Sequence, residues 1–160
     1  MLDQIKQQIN RIKARGATYV DTRWYPVEET NSLLMWNGNL KDASSTFESG
    51  LGVRVLYKGA WGFSASSDLG NIDQVFQKAF DNARVAAERV TFPVRLAEKD
   101  AVRDNFSSPN QVDPFSVPLE EKVEFLKKLD AALDKPGVAQ RMCSMEFTRK
   151  QIVYLDSEGS

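Results

Sequence analysis

The side chains that could act as nucleophiles in this chain have no base to activate them. Cys143 is the only cysteine, and the 160 residues include no histidine. A serine or cysteine nucleophile needs such a base beside it. We therefore predict that Cys143, set between methionines, packs in the core. We expect the serines at 44–45, 64 and 66–67 to be polar strand and turn residues.

Carboxylates and glycines also lack the surroundings that chemistry would need. A hydrolytic zinc site normally uses imidazole ligands, and a general acid needs burial beside a second group. The adjacent pairs Glu28-Glu29 and Glu120-Glu121 are expected to be solvated. The glycines at 50, 52, 59 and 62 lack the Lys-Ser/Thr of a phosphate loop and indicate turns and close packing. The sequence thus predicts no catalytic, cofactor-binding or metal-ligating residue in this chain.

Surface recognition is the remaining role for individual side chains. Trp36 and Asn37 stand at a predicted turn, and Arg54 and Lys58 lie on a predicted hairpin. Tryptophan is favoured at interface hot spots. Trp24 and Trp61 are expected in the core, and isolated charges at hairpins are often only solvated. We therefore propose that four residues form a partner or substrate surface: Trp36, Asn37, Arg54 and Lys58.

Composition favours one soluble globular domain over residues 1–160. The chain is 42% hydrophobic and carries 21 basic against 22 acidic residues. That balance provides no field for nucleic-acid binding. The start lacks a signal-peptide run, no membrane-spanning apolar segment occurs, and the single cysteine fits a reducing compartment. We expect a cytoplasmic protein that binds neither nucleic acid nor membrane.

Three helices are predicted from apolar residues at helical spacing. A short N-terminal helix carries Leu2, Ile5, Ile9 and Ile12 on one face and stops at Gly16. The strongest stripe follows Asn71 and runs from Ile72 to Val90. A further helix begins near Pro118 and ends at Lys135-Pro136-Gly137, with its stripe at positions 119, 123, 126, 129 and 133. A long surface connection with several prolines, Thr91 to Val117, separates the last two helices.

Residues alternating with period two predict the strands. They are expected at 18–25, 31–36, 40–47, 51–57, 60–64, 145–148 and 152–155. Tight turns at Asn37-Gly38 and Lys58-Gly59 join two hairpins, and Arg149-Lys150-Gln151 is expected to close a last one with an uncovered edge. The expected fold class is α+β: an antiparallel β-sheet of hairpins packed against two long α-helices, plus the short N-terminal helix.

The stretch from Gly50 to Leu69, GLGVRVLYKGAWGFSASSDL, closely resembles the N-terminal domain of the TldD/PmbA family, the modulator-of-DNA-gyrase family. Further segments match in order: Ala17 to Arg23, Asn37-Gly38, Asp113-Pro114, Pro118 to Lys122 and Ser157 to Gly159. The resemblance covers nearly the whole chain, and Trp61-Gly62-Phe63 is more similar to the TldD branch than to the PmbA branch.

The resemblance implies a zinc metalloprotease that degrades unfolded peptides, works as a homo- or heterodimer and carries a HExxxH motif in a separate C-terminal domain. With no histidine here, none of those ligands can be assigned in this sequence. The chain is therefore expected to be a non-catalytic N-terminal domain of a longer protein, itself without cofactor, while zinc belongs to the C-terminal domain. Two alternatives are a stand-alone protein-binding module that acts on a topoisomerase, as the name modulator of DNA gyrase implies, and an inactive PmbA-like partner subunit.

Overall fold

The computed structural model describes all 160 residues and has an α+β fold with three helices and five strands. In chain order the elements are α1 (Leu2–Ala14), β1 (Tyr19–Trp36), β2 (Asn39–Tyr57), β3 (Ala60–Ser66), α2 (Ile72–Ala87), α3 (Leu119–Leu133), β4 (Met142–Lys150) and β5 (Val153–Asp156). They form two compact units. The first unit comprises Met1–Val27, Glu48–Asn105 and Gln151–Ser160; the second comprises Glu28–Phe47 and Phe106–Lys150.

The first unit packs α1 and α2 on one face of its strands. Val20, Val53 and Val55 are fully buried there, together with apolar residues of both helices. The tightest approach is at Gly62, where an added Cβ would lie 2.1 Å from the Ala79 carbonyl oxygen of α2. Only a residue without a side chain lets helix and strand meet this closely. Alternation in β3 therefore sends Trp61 and Phe63 to the opposite face.

The second unit has a much smaller core. Its buried apolar residues are Leu33, Met35, Leu126 and Cys143. The prediction of a packed Cys143 is confirmed. Of the predicted α3 stripe only Leu126 is fully buried, whereas Leu119, Leu129 and Leu133 are at least 42% exposed. Helical spacing marks which residues share a face, but it does not determine how much of that face a partner element covers.

Both predicted tight turns are confirmed. Asn37 and Gly38 have φ of +47° and +76°, and Lys58 and Gly59 have φ of +47° and +81°. Two successive positive φ angles give the turn whose twist matches antiparallel strands. The strands on either side are longer than predicted, because β1 and β2 each run without interruption for 18 and 19 residues.

The predicted C-terminal hairpin is wrong. β4 and β5 both pair antiparallel with β1, over Glu28–Trp36 and Asp21–Trp24 respectively, rather than with each other. Trp24 pairs with Val153, and Glu28 pairs with Lys150. The step between these two pairs is four residues along β1 but three residues along the segment that joins β4 to β5. Pro26 lies in this interval and has no N–H for a ladder hydrogen bond. The break in pairing between Lys150 and Val153 was therefore misread as a turn that joins two paired strands.

The predicted helix lengths also need correction. The expectation of two long helices and one short one is wrong, since α1, α2 and α3 have 13, 16 and 15 residues. The second helix ends at Ala87, before Val90 of the predicted stripe. The connection from Glu88 to Pro118 contains no helix or strand, as predicted. No helix combines the length and apolar character that crossing a membrane requires.

Candidate functional site

The first unit carries an unusual set of charged and aromatic residues on the sheet face opposite α1 and α2. Strand register places them on one face, because Asp21 is paired with Asp156, Arg23 with Tyr154, and Arg54 with Phe63. Directly opposed residues of antiparallel strands point to the same side. We call this set the open face; it consists of Tyr19, Asp21, Arg23, Arg54, Trp61, Phe63, Tyr154 and Asp156, with Lys99 beside it.

Asp21 anchors two arginines on the open face. Arg54 donates from Nε and Nη2 to the Asp21 carboxylate, at 3.0 and 2.6 Å, and Arg23 donates from Nη1 at 3.3 Å. The Asp21 side chain is only 1% exposed. A buried carboxylate is costly unless it is paired and hydrogen-bonded, so Asp21 requires these donors. The bonds to Asp21 raise the pKa of Arg54 and hold its guanidinium in one orientation.

Asp156 is the second buried carboxylate of the open face. Its Oδ2 accepts a hydrogen bond of 2.7 Å from Lys99 Nζ, and its Oδ1 accepts from the backbone N–H groups of Glu158 and Ser160 at 2.9 and 3.0 Å. Burial acts to raise the pKa of Asp156, but these donors outweigh it and lower the pKa to about 2. Asp156 is therefore a permanent anion at neutral pH that holds the chain after β5 in place.

Two tyrosines complete the network around Asp156. The Tyr19 and Tyr154 hydroxyls lie 2.7 Å apart, and each lies 3.3 Å from Asp156 Oδ2. Burial is the largest cause that raises the pKa of both tyrosines above the ordinary value. Both phenols consequently stay protonated. Neither Asp156 nor the tyrosines can exchange a proton near neutral pH, which argues against acid–base catalysis by this network.

The cations of the open face remain accessible to solvent. The side chains of Arg23, Arg54 and Lys99 are 45%, 43% and 45% exposed, whereas the carboxylates beneath them are almost fully buried. Arg54 lies 5.1 Å from the centroid of the Trp61 ring, and Arg23 lies 5.4 Å from that of Tyr154. The arrangement suits recognition of an anionic group rather than bond breaking.

The second unit contains a cavity of about 300 Å³. It lies beside the start of α3, and its walls combine apolar and hydroxyl groups with one cation. The main lining residues are Asn31, Leu33, Ser44, Leu119, Lys122 and Phe147. Lys122 Nζ stands 5.0 Å from the Phe147 ring centroid. Ser44 Oγ donates a hydrogen bond of 2.8 Å to Asp42 Oδ2, and its side chain is exposed, as expected for a polar strand residue.

The structure distributes the four predicted surface residues over both units. Trp36 is 37% exposed, at the β1–β2 turn of the second unit. The Asn37 side-chain oxygen accepts a hydrogen bond of 2.7 Å from the Arg141 backbone N–H, so Asn37 also stabilises its own turn. In the first unit, Arg54 belongs to the open face and Lys58 lies at the β2–β3 turn, 5.4 Å from the Tyr57 ring centroid.

Most residues of the open face were not predicted as a site. Asp21 and Arg23 lie in the predicted strand at 18–25, but the sequence did not indicate their connection to β5. Tyr19 and Asp156 are 137 positions apart. One signal was present: two opposite charges alternate within a strand that otherwise reads as core. Such charges inside a strand need partners.

Comparison with known proteins shows the family to which this chain is related. Residues 27–83 match the family model described as PmbA/TldA metallopeptidase domain 1, and residues 112–160 match the PmbA/TldA metallopeptidase central domain. The chain belongs to the PmbA/TldD family. The family resemblance expected from the sequence is thereby confirmed.

Curated relatives of this PmbA/TldD chain carry the description metalloprotease. One, from Methanocaldococcus jannaschii, is 32% identical over 134 residues, which are 82% of this chain and 30% of the relative. Another, from Methanothermobacter thermautotrophicus, is 28% identical over 142 residues, covering 89% of this chain and 30% of the relative. The PmbA/TldD chain therefore spans less than a third of the length of these relatives.

Solved structures share the fold of the PmbA/TldD chain. A protein from Thermotoga maritima described as a candidate modulator of a DNA gyrase gives a TM-score of 0.76 at 17% identity, covering 100% of this chain and 36% of that one. TldE from Thermococcus kodakarensis gives 0.65 at 14% identity, covering 97% and 35%. At these identities the likeness establishes the fold alone.

Proposed function

We propose that this PmbA/TldD chain is the N-terminal, non-catalytic portion of a zinc metalloprotease that degrades unfolded peptides. The observation that carries the proposal is the ordered match to the first and central domain models of a metallopeptidase family. The relatives described as metalloproteases are more than three times as long as the aligned segment, which leaves room for a separate catalytic domain.

The ligands available in this chain do not fit a hydrolytic zinc ion. It contains no histidine, and no three Cys, Asp or Glu residues converge in a geometry that could hold a metal. Catalytic zinc sites usually take three protein ligands and include imidazole. We therefore assign the zinc to a C-terminal domain outside these residues and derive no catalytic step here.

The role that we assign to this chain is positional. Supporting the C-terminal peptidase domain and pairing with a second family subunit, identical or different, would both use exposed apolar surface. The second unit offers such surface on α3, where Phe125 and Leu129 are 52% and 42% exposed. Exposed apolar area of this kind is typical of interaction surfaces. We place the assembly in the cytoplasm.

The test uses the complete gene product that contains this sequence. We expect one bound zinc per catalytic subunit by elemental analysis and cleavage of an unfolded casein substrate that stops on chelation and returns with added zinc. The 160 residues alone should bind no zinc and cleave nothing. Sedimentation analysis of the complete product should show a dimer, alone or with a second family member.

Two results would overturn the proposal in different ways. A complete product that lacks both zinc and a HExxxH helix, yet associates with an active homologue, would make this chain part of an inactive PmbA-like subunit. A functional product that consists of these residues alone and binds a topoisomerase would make it a stand-alone module.

A further inference from the structure

We propose that the open face of the first unit binds an acidic segment of a partner protein, with Arg23 and Arg54 receiving its carboxylates. This proposal is independent of the peptidase assignment, because it rests on the first unit alone and requires neither zinc nor cleavage. It commits to carboxylate-bearing polypeptide as the ligand.

The arginine donors of the open face are oriented before a ligand binds. Arg54 donates from Nε and Nη2 to Asp21, which leaves Nη1 free for a ligand. Arg23 donates to Asp21 from Nη1 only. Because one buried carboxylate holds both guanidinium groups, little side-chain freedom is left to lose on binding. Preorganised planar donors match a carboxylate well.

The charges that solvent meets at the open face are mainly positive. Arg23, Arg54 and Lys99 contribute three positive charges, and Asp21 and Asp156 contribute two negative ones. The two carboxylate side chains are 1% and 0% exposed, whereas the three cations are nearly half exposed. A ligand therefore approaches the cationic groups of Arg23 and Arg54 first, whereas the exposed Glu158 lies near Lys99. Complementary charge favours an acidic segment.

The aromatic side chains of the open face favour a polypeptide over a nucleic acid as the ligand. Phe63, opposite Arg54, is 58% exposed, and Trp61 and Tyr154 flank the arginines. Tyrosine, tryptophan and arginine are enriched at protein interfaces, where aromatic side chains supply apolar contact beside the charges. The chain as a whole carries a net charge of −1, which is unlike the strongly basic surfaces that bind phosphodiesters.

The experiment measures binding of a fluorescein-labelled peptide of alternating glutamate and phenylalanine by anisotropy, beside the same peptide with glutamine replacing glutamate. We expect saturable binding of the acidic peptide only, weakening as salt is added. Arg23→Gln should weaken it about five- to tenfold, the loss of one charge-assisted contact. Asp21 keeps its bidentate partner Arg54 in this variant, so the fold should persist.

Matched variants separate specific binding from general attraction. Lys78→Gln removes an equal charge from an exposed position on α2 and should leave the affinity unchanged. Phe63→Ala should weaken binding without altering its salt dependence. Circular dichroism and thermal unfolding of each variant would establish that the fold is retained.

Several outcomes would overturn the proposal. These are equal binding of the glutamine peptide, equal losses for Arg23→Gln and Lys78→Gln, or no binding at all. Tighter binding of a single-stranded oligonucleotide, abolished by Arg23→Gln, would instead assign the face to phosphodiesters. None of these results bears on zinc content or proteolysis, so the peptidase proposal is tested separately.

Discussion

At the scale of single residues, the Asp156 carboxylate connects the segment after β5 to the rest of the first unit. Its carboxylate binds Lys99 and the backbone N–H groups of Glu158 and Ser160. A hydrogen bond to a charged group stabilises more than a neutral one, and losing a buried acceptor leaves its donors without a partner. Asp156 is thus more important for stability than its place near the end of the sequence suggests.

The pKa of Asp156 makes this contribution dependent on pH. Because folding lowers it from 3.8 to about 2, the carboxylate stabilises the fold fully above pH 4. This contribution, about 2 kcal/mol, is lost as the pH falls from 4 to 2. We expect Asp156→Asn to be less stable at neutral pH by a similar amount and to lack this part of the acid transition. Urea unfolding at several pH values measures both effects.

A nearby carboxylate provides the control for that prediction. Asp100 is exposed and makes no hydrogen bond or ion pair, so Asp100→Asn should change the free energy of unfolding by less than about 0.5 kcal/mol. If Asp156→Asn behaved in the same way, the network around Asp156 would not contribute to stability.

At the scale of elements, the contact of α2 with β3 depends on Gly62. An added Cβ there would lie 2.2 Å from the Ala83 nitrogen as well as 2.1 Å from the Ala79 oxygen. Backbone atoms cannot rotate away, so the helix would have to shift. We expect Gly62→Ala to cost at least about 3 kcal/mol of unfolding free energy. In Gly50→Ala the nearest atom is 3.4 Å away, so its effect should be much smaller.

The third helix provides a second prediction at this scale. Leu126 is fully buried, whereas Leu129 on the same helix is 42% exposed. Leu126→Ala should therefore lower the free energy of unfolding by about 2–5 kcal/mol, from lost burial and the resulting cavity. Leu129→Ala should cost under about 1 kcal/mol. Chemical denaturation of both variants compares the two positions, and equal losses would show that the outer side of α3 is also packed.

At the scale of the whole molecule, β1 and β2 each contribute residues to both units. If either strand loses its pairing in one unit, the backbone hydrogen bonds farther along the same strand are weakened as well. We therefore predict one cooperative unfolding transition, as the expectation of a single domain over residues 1–160 requires. Urea curves from tryptophan fluorescence and from far-ultraviolet circular dichroism should coincide, and Leu126→Ala should move both together. Two separated transitions would contradict this.

Much of the local structure could be predicted because its causes are local. The stripe of Ile5, Ile9 and Ile12 specifies α1, and Gly16 with φ of +95° follows its end. The Asn37-Gly38 turn follows from the positive φ angles that Asn and Gly tolerate, and Gly59 provides this tolerance in the Lys58-Gly59 turn. The family could likewise be recognised from a long run of residues in order.

The strand partners and the site could not be read in this way. Alternation identifies β4 and β5 as strands but carries no information about which strand each pairs with, and the break opposite Pro26 resembles a turn. The open face forms because β5 brings Asp156 beside Tyr19 and because Arg54 of β2 reaches Asp21 of β1. Each contact joins distant positions, so no local pattern specifies it.

Residue type and short spacing were sufficient to predict the class of elements, the turns, the family and the lack of imidazole ligands for a zinc ion. Folding in three dimensions establishes which strands pair, which side of α3 is covered and which cations lie beside the buried carboxylates. Those features depend on contacts between remote segments, whose energies exist only once the chain has folded.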